Sequence, residues 1–249
     1  MTLFWMILAI IIGSGISLIG GTLLLGVKRR RQAALLLSLP FAAGALLGAA
    51  FLDLLPEALE IAEGEHVLMF TLLGFIAFFL LERFATWFHH HHDHSEGQKA
   101  SQRILVVLGD VTHNAIDGLA IGAAFLVSIP TGIITTLAVS AHEIPKELGT
   151  FALLASRGWQ NRTVILANLL TAIATIVAAV IVFTLGSVAD ELIMPLLAMT
   201  AGFFIYVAAS DIIPDIHEQP RRIGSIQAVM LVLGVLVLGV TIELLHEIH

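Results

Sequence analysis

The sequence reads as an all-α, polytopic membrane bundle of about eight transmembrane helices, and three observations carry that reading. The chain is 58% hydrophobic and 12% charged, with a mean hydropathy of +0.97. A soluble domain is about half apolar and about a quarter charged. Apolar stretches of about 20 residues, enough for a helix to cross a bilayer, recur along its length. Lysine and arginine gather in every second connection between those stretches.

The spans are expected at 3–26, 34–55, 67–88, 104–127, 131–155, 163–186, 192–213 and 225–246, all within one domain covering 1–249. The first opens MTLFWMILAIIIGSGISLIGG. It has no basic leading segment and no clear cleavage site, so it reads as a spanning helix and not as a removed signal. The second ends Asp53-Leu54-Leu55-Pro56-Glu57, after Gly44 and Gly48. The third leads into the longest connection, about 89–103, which holds HHHHDH from His89 to His94. Such a tract binds metal weakly or serves as a solvated linker. The seventh ends Asp211-Ile212-Ile213-Pro214-Asp215, after Gly202. It thus repeats the end of the second.

Lys28 to Arg31, Lys99 with Arg103, Arg157 with Arg162, and Arg221 with Arg222 all fall on one side of the expected topology. The other side carries Glu60, Glu63, Glu65, Asp190 and Glu191. Positive loops stay in the cytoplasm. Both termini are therefore expected outside an inner or plasma membrane, with the His-rich loop inside. The second and seventh spans would then end on opposite faces. That is the mark of an inverted repeat, here three helices, a central pair, and three helices, with the substrate site near the midplane. Asp-x-x-Pro is also an ordinary way to end a helix.

The fourth and fifth spans carry the chemistry. In the fourth, Asp110, His113, Asn114 and Asp117 fall at i, i+3, i+4 and i+7. They share a helix face about 100° wide. In the fifth, His142, Glu143, Lys146 and Glu147 are again helically spaced, and Pro145 sits among them. A charged side chain at mid-bilayer costs roughly 2.5–3.5 kcal/mol even on the milder scale. Packing alone does not call for so acidic and imidazole-rich a pair of helices. Imidazole and carboxylate together suit a borderline divalent metal such as zinc, and iron, manganese, cadmium and cobalt accept similar sets. His113 and Asp117 can grip one ion from one helix, and His142 can close the site from the next. Glu143, Asn114, Glu147 or water would complete the shell. Proline in a helix frees a carbonyl, which a membrane tolerates facing an ion or water.

Asp110 reads as a pathway or supporting residue, and Asp53 and Asp211 as linings of the two half-channels or as simple helix ends. There are no cysteines, so thiolate sites and disulfides are excluded. A metalloprotease of the H-E-x-x-H type would need histidine where Lys146 stands, so no enzyme is expected. No phosphate-binding GxxxxGK[ST] loop appears. Nothing points to a nucleic-acid partner or a resident cofactor.

The segments His113-Asn114-x-x-Asp117-Gly118-x-Ala120-x-Gly122 and His142-Glu143-Ile144-Pro145-x-Glu147-x-Gly149 resemble the ZIP (Zrt/Irt-like) family of divalent metal transporters. GALLGAAFLDLLPEA and AGFFIYVAASDIIPD resemble its second and seventh helices. The resemblance covers the whole chain. It implies uptake of zinc, or of a broader set of divalent ions, by alternating access, and often a homodimer. In members with two adjacent metals, the matching positions are His113, Asn114, Asp117, His142 and Glu143, with a further Glu or His after the proline. Here that residue is Lys146, and a protonated lysine ligates nothing. One metal is therefore expected where such relatives hold two, with the Lys146 ammonium near Glu143 and Glu147.

Overall fold

The structure is a computed structural model. It describes the backbone of residues 1–24, 28–90, 96–156, 159–186 and 190–247. It describes their side chains except at 20–24, 28–34, 85–90, 96–106, 145, 148–156, 161, 190, 211, 215 and 246–247. Among the described residues there is no strand. The helices are α1 (Thr2–Leu24), α2 (Lys28–Ala49), α3 (Leu55–Ile61), α4 (Gly64–His90), α5 (Glu96–Val127), α6 (Ile129–Ser156), α7 (Asn161–Thr184), α8 (Asp190–Val207), α9 (Ile213–Glu218) and α10 (Arg221–Glu247). Two π-helical turns, Ala50–Leu54 and Ala208–Ile212, join α2 to α3 and α8 to α9.

Among the described residues, six helical runs are long and apolar enough to cross a membrane: Thr2–Ile19, Leu35–Ile61, Gly64–Phe84, Arg162–Thr184, Glu191–Ser210 and Arg221–Leu245. α5 and α6 are long enough, at 32 and 28 residues. They carry the charged cluster described below. The burial pattern is inside-out relative to a soluble protein. On α7, Leu166, Leu169, Leu170, Ile173, Val177 and Ile181 are exposed, while Asn168, Thr171 and Thr175 are buried. Lipid solvates the first face and cannot solvate the second, so polar groups turn inward. The chain is a multi-pass membrane protein.

The helices observed at 34–55 and 192–213 depart from the straight second and seventh spans expected there. Each passes through a π turn just before a proline. Leu55 donates its N–H to Ala50 O and Ile213 donates to Ala208 O, each reaching one residue further back than in an α-helix. The ring of Pro56 or Pro214 would otherwise meet the carbonyl four residues earlier. The same sequence offset separates Gly44 from Gly202, Ala50 from Ala208, Asp53 from Asp211 and Pro56 from Pro214.

Packing follows the same correspondence. α2 lies against α10 and α4 against α8, while α1 lies against α6 and α5 against α7. A methyl on Gly44 would strike the Leu231 carbonyl, and one on Gly234 would strike that of Phe41. The matching crossing has Gly74 against the Met199 carbonyl and Gly202 against that of Thr71. Bare backbone is what lets these helices approach so closely, as is usual where lipid gives no hydrophobic drive between helices.

The connection expected at 89–103 is shorter. α4 runs to His90 and α5 begins at Glu96, because Glu96-Gly97-Gln98-Lys99-Ala100-Ser101-Gln102-Arg103 is rich in good helix formers. Residues 91–95, most of the His-rich tract, lie outside the described residues. At the other end of α5 the reversal takes one residue. Ser128 Oγ accepts the Thr131 N–H at 3.1 Å, capping α6. α5 and α6 are thereby folded back on each other, with Phe125 over Gly132 at the turn and His113 beside His142 further along.

Candidate metal centre

The site forms where the polar faces of α5 and α6 meet. His113 and Asp117 are one turn apart on α5, and His142 and Glu143 are adjacent on α6. His113 Nε2 and His142 Nε2 are 3.1 Å apart. Asp117 Oδ2 lies 3.6 Å from each of those nitrogens. Glu143 Oε1 is 3.7 Å from His142 Nε2. One ligand atom from each of the four residues can be chosen so that all lie within 4.8 Å of one another.

That geometry is suited to a cation. Zinc with ligands at 2.0–2.2 Å in a tetrahedron has neighbouring ligand atoms about 3.3–3.6 Å apart. The four separations given above, from 3.1 to 3.7 Å, bracket that value, while the set of four residues as a whole spreads to within 4.8 Å. Asp117 Oδ2 is buried and has no hydrogen-bond partner. A buried carboxylate oxygen without a donor is costly, and a cation between the two imidazoles would satisfy it.

The remaining residues singled out in the sequence are disposed around this group. Asn114 is turned away, since one helix step is about 100°. Its Nδ2 donates to Asp110 O at 3.1 Å and its Oδ1 accepts from Thr175 Oγ1 at 3.0 Å, which ties α5 to α7. Glu147 lies a turn beyond Glu143, is buried, and has an unpartnered Oε2. It is not among the four that converge. Lys146 does not pair with Glu147. Its Nζ is 2.7 Å from Glu143 Oε1 and 2.9 Å from Asp110 Oδ1. Adjacent helix positions point apart, whereas the i−3 residue shares a face, so the expected Glu147 contact gives way to Glu143 and to a cross-helix pair.

Asp53 is only 1% exposed and has neither carboxylate oxygen bonded. It sits in the first π turn, and Glu57, one turn on, accepts from Thr131 Oγ1 of α6 at 3.3 Å. Asp211 occupies the matching place in the second π turn, and its side chain lies outside the described residues. α6 is continuous through Pro145, whose side chain is likewise not described.

Two contributors were missed in the sequence. Thr175 holds Asn114, and its signal was the polar stripe Asn168, Thr171 and Thr175 in an otherwise apolar helix. Phe78 of α4 stands edge-on to the His113 ring, with centroids 5.3 Å apart. With Leu46, Phe203, Phe204 and Val207 it walls the cavity onto which His113, Asp117 and His142 open. Phenylalanine in an apolar span carries no mark of such a role.

The model of the family described as "ZIP Zinc transporter" matches residues 2–104 and 89–242. The zinc transporter foi of Drosophila melanogaster is 37% identical over 145 residues, which is 58% of this chain and 20% of that protein. The human zinc transporter ZIP10 is 42% identical over 111 residues, 45% of this chain and 13% of that protein. The yeast zinc transporter YKE4 is 31% identical over 225 residues, 77% of this chain and 64% of that protein. The chain thus spans a fifth or less of the first two relatives' length.

Proposed function

Because this chain belongs to the ZIP zinc transporter family, we propose that it carries a divalent metal ion, zinc foremost, across the bilayer by way of His113, Asp117, His142 and Glu143. The observation that supports this reading is the convergence of four buried or half-buried ligand side chains from two adjacent helices. The relatives named above are described as zinc transporters, and a transporter calls for ligands rather than a catalytic group.

The ion would be held in a shell completed by water, which an ion that must leave again requires. Asn114 and Glu147 flank the ion, Asn114 by fixing α5 and Glu147 as a station one turn along. Asp53 and Asp211 would line the routes to either side, and Asp110 would act through Lys146. The basic loops orient the chain for uptake into the cytoplasm. The His-rich connection would modulate delivery there, and a homodimer would be the assembled form.

The test is uptake into proteoliposomes from a panel of zinc, iron(II), manganese, cadmium and cobalt. His113→Ala and His142→Ala should each reduce zinc uptake at least tenfold while the protein still inserts. Near-normal uptake in both would overturn the site. Iron or manganese outrunning zinc would reassign the cargo within the same family.

A further inference from the structure

We propose that Lys146 is a tethered counter-cation that competes with the transported metal for Glu143, so that this residue sets how tightly the ion is held and how readily it leaves. The proposal rests on the metal site described above and concerns a residue that ligates nothing.

The geometry is specific. Glu143 Oε1 is the atom that faces His142 Nε2 at 3.7 Å, and it is the same atom that accepts from Lys146 Nζ at 2.7 Å. The oxygen best placed to complete a shell around the two imidazoles and Asp117 is therefore already engaged by an ammonium. Lys146 has a second anchor, Asp110 Oδ1 at 2.9 Å, on the neighbouring helix. It can release Glu143 without losing all its pairing. Asp117, by contrast, has no such partner and is free to meet an ion.

An arriving dication bound to Glu143 Oε1 would sit within about 5 Å of the ammonium. Like charges at that distance in a low-dielectric site repel strongly. Metal binding would then draw Glu143 towards the imidazoles and leave Lys146 on Asp110. Departure of the ion would let the ammonium take Glu143 back. A charge that repels the bound ion and re-covers its ligand on release lowers affinity and speeds exit. It also occupies the space between Asp110 and Glu143, where a second cation would otherwise be drawn.

The experiment measures zinc binding by titration calorimetry, and ions per protomer by anomalous scattering, on the full chain in detergent or nanodiscs. Three variants are compared with the unaltered protein. Lys146→Gln removes the charge and keeps a donor. It should bind zinc about ten- to a hundredfold tighter, the range expected when a hydrogen bond to a charged group no longer competes. Its release in a stopped-flow chelator chase should be slower by a similar factor. Lys146→Arg keeps the charge and should stay within about threefold of the unaltered protein, which separates charge from packing. Lys146→Glu adds a carboxylate beside Asp110 and Glu143 and should hold two ions where the unaltered chain holds one.

Unchanged or weaker affinity in Lys146→Gln, with Lys146→Arg folded and binding normally, would overturn the proposal. So would two fully occupied ions beside α5 and α6 in the unaltered protein. His113→Ala, run alongside, tests the metal site itself. If it still binds like the unaltered chain, the site reading fails. If it loses zinc while Lys146→Gln is unchanged, only the counter-cation idea fails.

Discussion

Replacing Asp117 with asparagine should stabilise the metal-free protein and abolish its response to zinc. Asp117 is 5% exposed, and its Oδ2 points at two imidazole nitrogens 3.6 Å away without a hydrogen bond to either. An unsatisfied buried polar atom costs about 1–3 kcal/mol, and more when charged. Asparagine has the same shape and its amide can donate to an imidazole. The metal-free variant should therefore gain about 1–3 kcal/mol, which for a chain this long is a rise of roughly 2–12 °C in the unfolding midpoint. Zinc acts on only one of the two proteins. At a hundred times its dissociation constant, a ligand that binds only the folded form adds about 2.7 kcal/mol. The unaltered protein should then melt several degrees higher with zinc, and Asp117→Asn should not move. The assay is a thermal unfolding scan in detergent at fixed rate, with and without zinc. A variant that melts lower without metal, or that still shifts with zinc as the unaltered protein does, would refute the idea that Asp117 is held in readiness for a cation.

Thr175→Val removes the donor to Asn114 Oδ1 while keeping side-chain volume, leaving a buried amide oxygen unpaired. It should lower stability by about 1–3 kcal/mol and weaken zinc binding several-fold, with Thr175→Ser near normal, as checked by thermal unfolding and calorimetry. Serine in place of all five histidines between His89 and His94 should leave substantial zinc uptake in proteoliposomes; complete loss would make the tract part of the obligatory path.

Much of the site was legible because helical periodicity is a short-range property. Once α5 is a helix, residues three and four apart share a face whatever else the chain does, so His113 and Asp117 had to be neighbours. The same is true of Lys146 and Glu143. The matched ends of the second and seventh expected spans were legible as repeated text, Asp53 to Pro56 against Asp211 to Pro214. Their local form was not. A π turn is one of several ways to accommodate a proline, and packing of the surrounding helices selects among them.

What the sequence by itself determined was the class of molecule and the pair of helices that matters. Composition forces apolar faces toward lipid, and the cost of buried charge confines acidic and imidazole groups to where they meet one another. Tertiary structure alone decided which of the candidates converge. The rotation of α5 against α6 brings Asp117 between His113 and His142, and that of α5 against α7 hands Asn114 to Thr175. It placed Lys146 against Asp110 on a different helix, and brought Phe78 from α4 onto the His113 ring. These are contacts between segments far apart in the chain. They depend on the depth and rotation with which helices dock, set by close approaches such as Gly118 against the Thr175 carbonyl, and no short-range periodicity encodes that register.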